Sequence, residues 1–396
     1  MLSSDSRNRI YTELDERGFS LTELIVVMAI FLTVMLITSS TFKTIVNQSS
    51  QQSKSVETQI EGLVGLEVLR SDMEQAGFGL PWSFQSTPTY AESDLGSSMP
   101  AASYWISGDA NSFNDAPSGA PRPVQSANTK FNLDGGGNGA KYLVIKSTLA
   151  ATNKIAKKWT NVAFANGTKS IATWGDATRD FASTDRVIVV KNNLNTTPTS
   201  RMLMVSASGF SSTFGGYSTL MKTHLDGDTF QIYGIGSTSV RMPFNRADYY
   251  VMRPATMPDG CAPNTGILYK SNISHSSGGY DPVIPLLDCV ADLQVVYGLD
   301  TDGAGRVNLH TVTPPATATD QRAQIREIRA YILAQDGKRD LLYKYPSTTI
   351  DVGESFDGGA TITGRRFDLA ALIGTGWQNY RWKVYTIVVR PKNLIQ

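Results

Sequence analysis

Apolar residues are spread unevenly along the chain, and changes in their spacing predict three kinds of element in succession. From Leu24 to Ile37 the sequence reads LIVVMAIFLTVMLI, apolar except for Thr33. Set as a helix, residues 19–42 extend for roughly 36 Å, enough to cross a hydrocarbon core of about 30 Å. Beyond it the chain turns polar but keeps a helical rhythm. Val56, Ile60, Leu63, Leu66, Leu69, Met73 and Ala76 recur at steps of three and four, drawing one apolar stripe for a globular domain to cover. No proline interrupts Phe19 to Leu80, and Gly77-Phe78-Gly79-Leu80-Pro81 is a stop signal. Gly62 and Gly65 each weaken such a helix by about 1 kcal/mol relative to Ala, which marks either close packing or a flexible point.

The pattern then changes twice. Residues 81–140 are rich in Ser, Pro, Asn, Ala and Gly and read as a long surface insertion. Its end, Asp134-Gly-Gly-Gly-Asn138-Gly, lacks the following Gly-Lys-Ser/Thr of a phosphate loop and is predicted to be a hairpin turn. From 141 to 396 β signals dominate: Tyr142–Ile145, Arg186–Val190, Met202–Val205, Thr229–Tyr233, Tyr249–Met252, Ile267–Tyr269, Leu293–Tyr297, Ile325–Leu333 and Trp382–Val389. The predicted fold class is α+β, a long N-terminal helix packed on a large, antiparallel, β-rich head, with residues 1–18 left as a polar leader.

Charge and chemistry narrow the functions open to such a chain. Its 396 residues carry a formal charge of +1, which argues against a strongly basic nucleic-acid surface. The basic-aromatic cluster Lys154, Lys157, Lys158 and Trp159 is therefore read as a solvated loop, and no nucleic-acid partner is expected. The three histidines, His224, His275 and His310, show no metal spacing, no Gly-x-Ser-x-Gly elbow occurs, and no enzyme activity or cofactor is expected. Asp300-Thr-Asp302-Gly303-Ala-Gly305-Arg-Val-Asn308 offers the oxygen donors that calcium prefers. It lacks the further acidic positions of a complete calcium loop, so Asp300, Asp302 and Asn308 are read as an Asp/Gly hairpin turn, with a calcium site as the alternative. Cys261 and Cys289 lie beyond the apolar span, on the side that Arg17 places outside the cytoplasm, where a disulfide is permitted; two separate buried thiols are the alternative.

Glu23 is the residue that the apolar span does not explain. A carboxylate in such a segment costs about 2.5–3.5 kcal/mol on insertion scales and asks for a partner. Cleavage between Gly18 and Phe19 would supply one, since Phe19 would become a new N-terminus one helical turn from Glu23. The pattern G-FSLTELIVVMAI resembles the signal of type IV prepilins and type II secretion pseudopilins. That resemblance implies cleavage after Gly18 by a prepilin peptidase and N-methylation of Phe19. It further implies packing of the helix in a filament, with Glu23 paired to a neighbour's terminal amine.

A second resemblance lies in the head. ADYYVMRP, GILYK, PLLDCVADLQVVYGLDTDGAGRVN, IREIRAYILAQ and YTIVVRPKNL, with LEVLRSDMEQAGFG at the end of the helix, look like the PilW family of type IV pilus minor pilins. It implies a structural subunit of the inner membrane, single-pass with a periplasmic head, that passes into the tip region of a pilus and helps initiate and cap it. The implied partners are other minor pilins and the major pilin, reached through the N-terminal helix, together with the peptidase and the inner-membrane assembly platform. A J-type pseudopilin of type II secretion, and a tip adhesin or DNA-uptake subunit using residues 82–247, are the alternatives.

Overall fold

The computed structural model describes residues 20–95, 100–193, 200–207, 209–221, 224–236, 239–356, 358–359 and 361–394. The leader and the Gly18-Phe19 junction lie outside them. The chain divides into two units, Met1–Lys54 and Ser55–Gln396, with the helix Leu21–Glu74 running through the boundary. Its end is followed by a turn in which Gly77 and Gly79 take φ of 80° and 72°, conformations that glycine adopts without a Cβ clash.

The larger unit is built on an eight-stranded antiparallel sheet. Its order is Arg381–Val389, Ile325–Asp336, Tyr280–Leu299, Gly266–Ile273, Asn245–Met252, Lys141–Ser147 and Val124–Asn128, and the short strand Leu309–Thr311 pairs with the end of Tyr280–Leu299. A second sheet runs Ser83–Phe84, Ser200–Leu203, Arg186–Asn193, Thr229–Gly236, Trp159–Ala165 and Thr168–Ile171, with Ser212–Thr213 added on Arg186–Asn193. The hairpin Thr349–Glu354/Thr363–Asp368 stands apart from both.

Successive side chains of a strand point to opposite faces, so a strand buried on both faces reads as a continuous apolar run. The large sheet is such a case. Leu143, Ile145, Tyr249, Val251, Leu293, Val295 and Tyr297 join one core with Leu66, Leu69, Met73 and Ala76 of the helix. Their neighbours Tyr142, Val144 and Tyr250 face the second sheet through Ile188, Val190, Tyr233 and Ile235. Farther along the same face, Val296, Tyr331 and Leu333 are covered by Val352, Phe367 and Leu369 of the hairpin and its following turn.

Segment 81–140 takes part in this packing. Tyr90, Trp105 and Phe113 are buried between the sheets, Val124–Asn128 pairs with Lys141–Ser147, and Asp134–Asn138 forms the turn that joins those strands. Asp134 holds the turn with its own side chain, accepting from the backbone N–H groups of Gly136 and Asn138.

The helical stripe meets the sheet at Leu66, Leu69, Met73 and Ala76, whereas Leu63, on the same predicted stripe, is exposed. Glycine sets how near the helix lies to the sheet. A Cβ at Gly65 would stand 2.0 Å from the carbonyl oxygen of Leu286, while one at Gly62 would stand 3.0 Å from the end of the Leu287 side chain. Of the two roles that the sequence left open for these glycines, Gly65 fills close packing. Gly65→Ala is therefore expected to destabilise the head: the gain of about 1 kcal/mol in helix propensity is outweighed by an overlap with backbone, where overpacking costs about 1–3 kcal/mol. Gly62→Ala, which meets only a movable methyl group, should change stability little. Thermal melts of the two variants check this, and equal melting points would overturn it.

Candidate functional site

The helix offers the first functional surface. Over Leu21–Val46 its mean hydropathy is 2.5 and none of it is buried by the rest of the chain, so an apolar cylinder is presented to its surroundings. Five of the hydroxyls on that cylinder are satisfied by the helix itself. The hydroxyls of Thr33, Thr38, Ser40, Thr41 and Thr44 donate to carbonyls three or four residues back, which removes a cost that lipid would otherwise impose.

Glu23 lies in the first turn, where its Oε2 accepts from the backbone N–H of Ser20 at 3.1 Å, and Ser20 O accepts from Leu24 N. This is one arm of a capping box: the carboxylate covers a donor at the positive end of the helix dipole. The sequence Ser20-Leu-Thr-Glu23 has the spacing that such a cap requires. A carboxylate held at this end of the helix is positioned beside whatever group stands at residue 19. Gly18 and Phe19 themselves lie outside the described residues.

Farther along, Asp72 fixes the helix to the sheet through two short contacts, Lys270 Nζ at 2.6 Å and the Tyr249 hydroxyl at 2.6 Å. Burial, and next the Asp72 charge, push the Tyr249 hydroxyl well above its ordinary pKa, so it stays a donor. Beside this contact, Leu63 and Val64 are 65% and 67% exposed and border an open groove that Asp72, Lys270, Leu149 and Lys157 also line. The expected basic-aromatic cluster is thus divided. Lys157 lines this groove, Lys158 pairs with Asp185 at 3.0 Å, and Trp159 begins a strand and packs edge-on against Trp174.

Cys261 and Cys289 form a disulfide. It ties the loop before Gly266–Ile273 to an irregular point in Tyr280–Leu299, where Cys289 takes φ of 54° and the register to the neighbouring strand shifts. Closing a loop of this length stabilises by about 3–4 kcal/mol in the chain-entropy account.

The Asp300–Asn308 loop is held by its own groups. Asp300 Oδ2 accepts from Gly305 N at 3.0 Å and pairs with Arg326 at 3.1 Å, Asp302 caps Ala304 N, and Asn308 Oδ1 accepts from Thr301. Burial pushes the Asp300 carboxyl up, but the backbone donors and Arg326 together hold it below the usual range. Among the described residues no group of three or more His, Cys, Asp or Glu side chains is arranged to hold a metal ion. The three histidines are apart. His224 stacks on Phe164, His310 stacks on Phe356, and His275 bonds to Asn245.

One cluster has no local signal in the sequence. Lys146, fully buried, contacts Glu92 Oε2 at 2.7 Å and Asp115 Oδ2 at 2.6 Å, and Asp115 also binds Arg122 at 2.6 Å. Beside it, Arg246 is fully buried and places all five of its N–H donors: two on Asp248, one each on Ser93, Asn114 and the carbonyl of Ala110. Burial pushes the Asp115 carboxyl up, but Lys146 and Arg122 outweigh it and leave it below the ordinary range. These groups clamp Glu92, Ser93 and residues 110–115 onto the Lys141–Ser147 and Asn245–Met252 strands. Their place is structural.

With this geometry described, comparison with known proteins adds two matches. A family model described as Type IV Pilus-assembly protein W matches residues 248–393, and one described as the prokaryotic N-terminal methylation motif matches residues 14–39. The first takes in five whole strands of the large sheet and most of Asn245–Met252, together with the disulfide and the Thr349–Asp368 hairpin, whereas the second sheet, within 83–236, lies outside both. No curated protein and no solved structure gives a significant match.

Proposed function

We propose that this chain, a PilW-like type IV pilin anchored in the membrane by its single N-terminal helix, is a low-copy subunit that starts the filament and stays near its end. The observation that carries this reading is the joining of one predominantly apolar, unburied helix to a very large head. A body with the length of Ser55–Gln396 has a diameter of ~50 Å, while packed helices lie about 8–10 Å apart. Identical heads of that size on every helix of a bundle packed side by side at one level would collide. Room for such a head exists where few copies are present, which an end provides.

In this role cleavage after Gly18 frees the Phe19 amine. Glu23 then exchanges its local cap for the amine of the adjoining subunit, and the head meets other subunits of the tip. The experiment is quantitative mass spectrometry of sheared filaments combined with gold labelling of the head. A few copies per filament, with label at one end, support the reading. A subunit present along the whole length, in amounts comparable with the main subunit, would overturn it.

A further inference from the structure

At one end of the large sheet the fold gathers four arginines that are far apart in sequence. Arg326 and Arg329 stand at the start of Ile325–Asp336. Arg390 follows Arg381–Val389, whose end pairs with that start through Val389 and Ile328. Arg306 comes from the loop after Tyr280–Leu299, the neighbour on the other side. Antiparallel pairing brings the start of one strand to the end of the next, and so the four meet around a cavity of about 640 Å³, with Glu327 and His310 in its wall. A cavity of that size lies in the range that small ligands occupy.

The charges here are not all compensated. Arg326 uses Nη2 on Asp300, but its Nη1 is shielded from water and has no hydrogen-bond partner. Arg329 is taken by Glu327 at 2.5 Å and Glu354 at 2.6 Å. Arg306 and Arg390 are exposed and make no ion pair among the described residues. The loop whose carboxylates suggested a cation therefore presents an arginine to the cavity and spends Asp300 on Arg326.

We propose that this cavity binds a small phosphate-bearing group. A guanidinium offers its donors as a planar fork, and one fork satisfies both oxygens of a carboxylate. Two free forks on one cavity, with a third guanidinium short of a partner, match a group with three or more acceptor oxygens and more than one negative charge. His310, stacked flat on Phe356 at 3.6 Å, gives the wall a rigid side.

The test uses the processed full-length protein in detergent, titrated with inorganic pyrophosphate by calorimetry. Wild type should bind. Arg306→Gln/Arg390→Gln should bind about tenfold more weakly or worse, because two charged donors are lost, while melting at the wild-type temperature, since both side chains are exposed. Arg390→Lys should recover only part of the affinity, because it keeps the charge without the fork. Added short-chain phosphatidic acid separates the sources: displacement of pyrophosphate supports a lipid headgroup, and its failure supports a soluble phosphate. Absence of binding to wild type, or equal binding to the double variant, would overturn the proposal.

Discussion

Glu23→Val should leave the processed protein in the membrane at its normal level and reduce the number of pili by tenfold or more. The two halves of this expectation have opposite physical causes. During insertion the carboxylate is a burden of about 2.5–3.5 kcal/mol, which valine removes. Insertion of the Leu21–Val46 span is thus no worse in the variant, and cleavage after Gly18 is expected to proceed as in the wild type. In the proposed assembly the same carboxylate would be the partner of a buried amine. Removing one member of such a pair leaves the other uncompensated, at a cost of about 3–5 kcal/mol, or a factor of 10² to more than 10³ in an association constant. Glu23 is already held at the helix end by Ser20 N, so it is ordered before a neighbour arrives. The measurements are filament counts by electron microscopy and the amount of processed subunit in membranes. Normal piliation in the variant would show that the pair is dispensable, and loss of the processed protein would show that Glu23 acts in insertion or stability instead.

What the sequence made legible follows from how local each signal is. The helix depends on spacings of three and four residues and was readable; the cap of Ser20 N by Glu23 has the same spacing but was missed, because the carboxylate was assigned only to a neighbour's amine. So were Tyr142–Ile145 and Arg186–Val190, because burial on two faces leaves a continuous apolar run. Trp159–Ala165 and Thr168–Ile171 were missed: the first alternates buried and exposed residues under a run of lysines, and the second is almost wholly exposed. Val124–Asn128 was missed because Gln, Ser and Asn are poor strand formers, and its place comes from pairing with Lys141–Ser147. The arginine cavity and the Lys146 cluster were beyond reach for a different reason. Their members lie on separate strands and loops, and only strand order brings them together.

Lys146→Met should be the most destabilising single change in the head, lowering its stability at neutral pH by about 3–5 kcal/mol, the cost of breaking a buried pair from one side. Methionine fills a similar volume, so the effect isolates the charge. It leaves Glu92, which is buried, with Arg246 at 3.6 Å, and Asp115, which is largely buried, with Arg122 at 2.6 Å. The pH dependence should weaken. In the wild type Asp115 has its folded pKa below the unfolded one, so its contribution is complete above the unfolded pKa and is lost as pH falls through the folded value. Without Lys146, burial is opposed only by Arg122 and the backbone donor, and the folded pKa moves up toward the unfolded one. The variant should therefore lose less stability than the wild type as pH falls from 7 to 4. Adding Glu92→Gln should restore part of the loss, because a glutamine oxygen can still accept from the backbone N–H groups of Asp115 and Ala116 while the unpaired charge is gone. Urea titrations of the wild type, the single variant and the double variant between pH 4 and 7 decide this. A single variant less than about 1 kcal/mol weaker at pH 7, within the range of an ordinary exposed pair, would mean that the cluster is not what holds Glu92, Ser93 and residues 110–115 to the sheet.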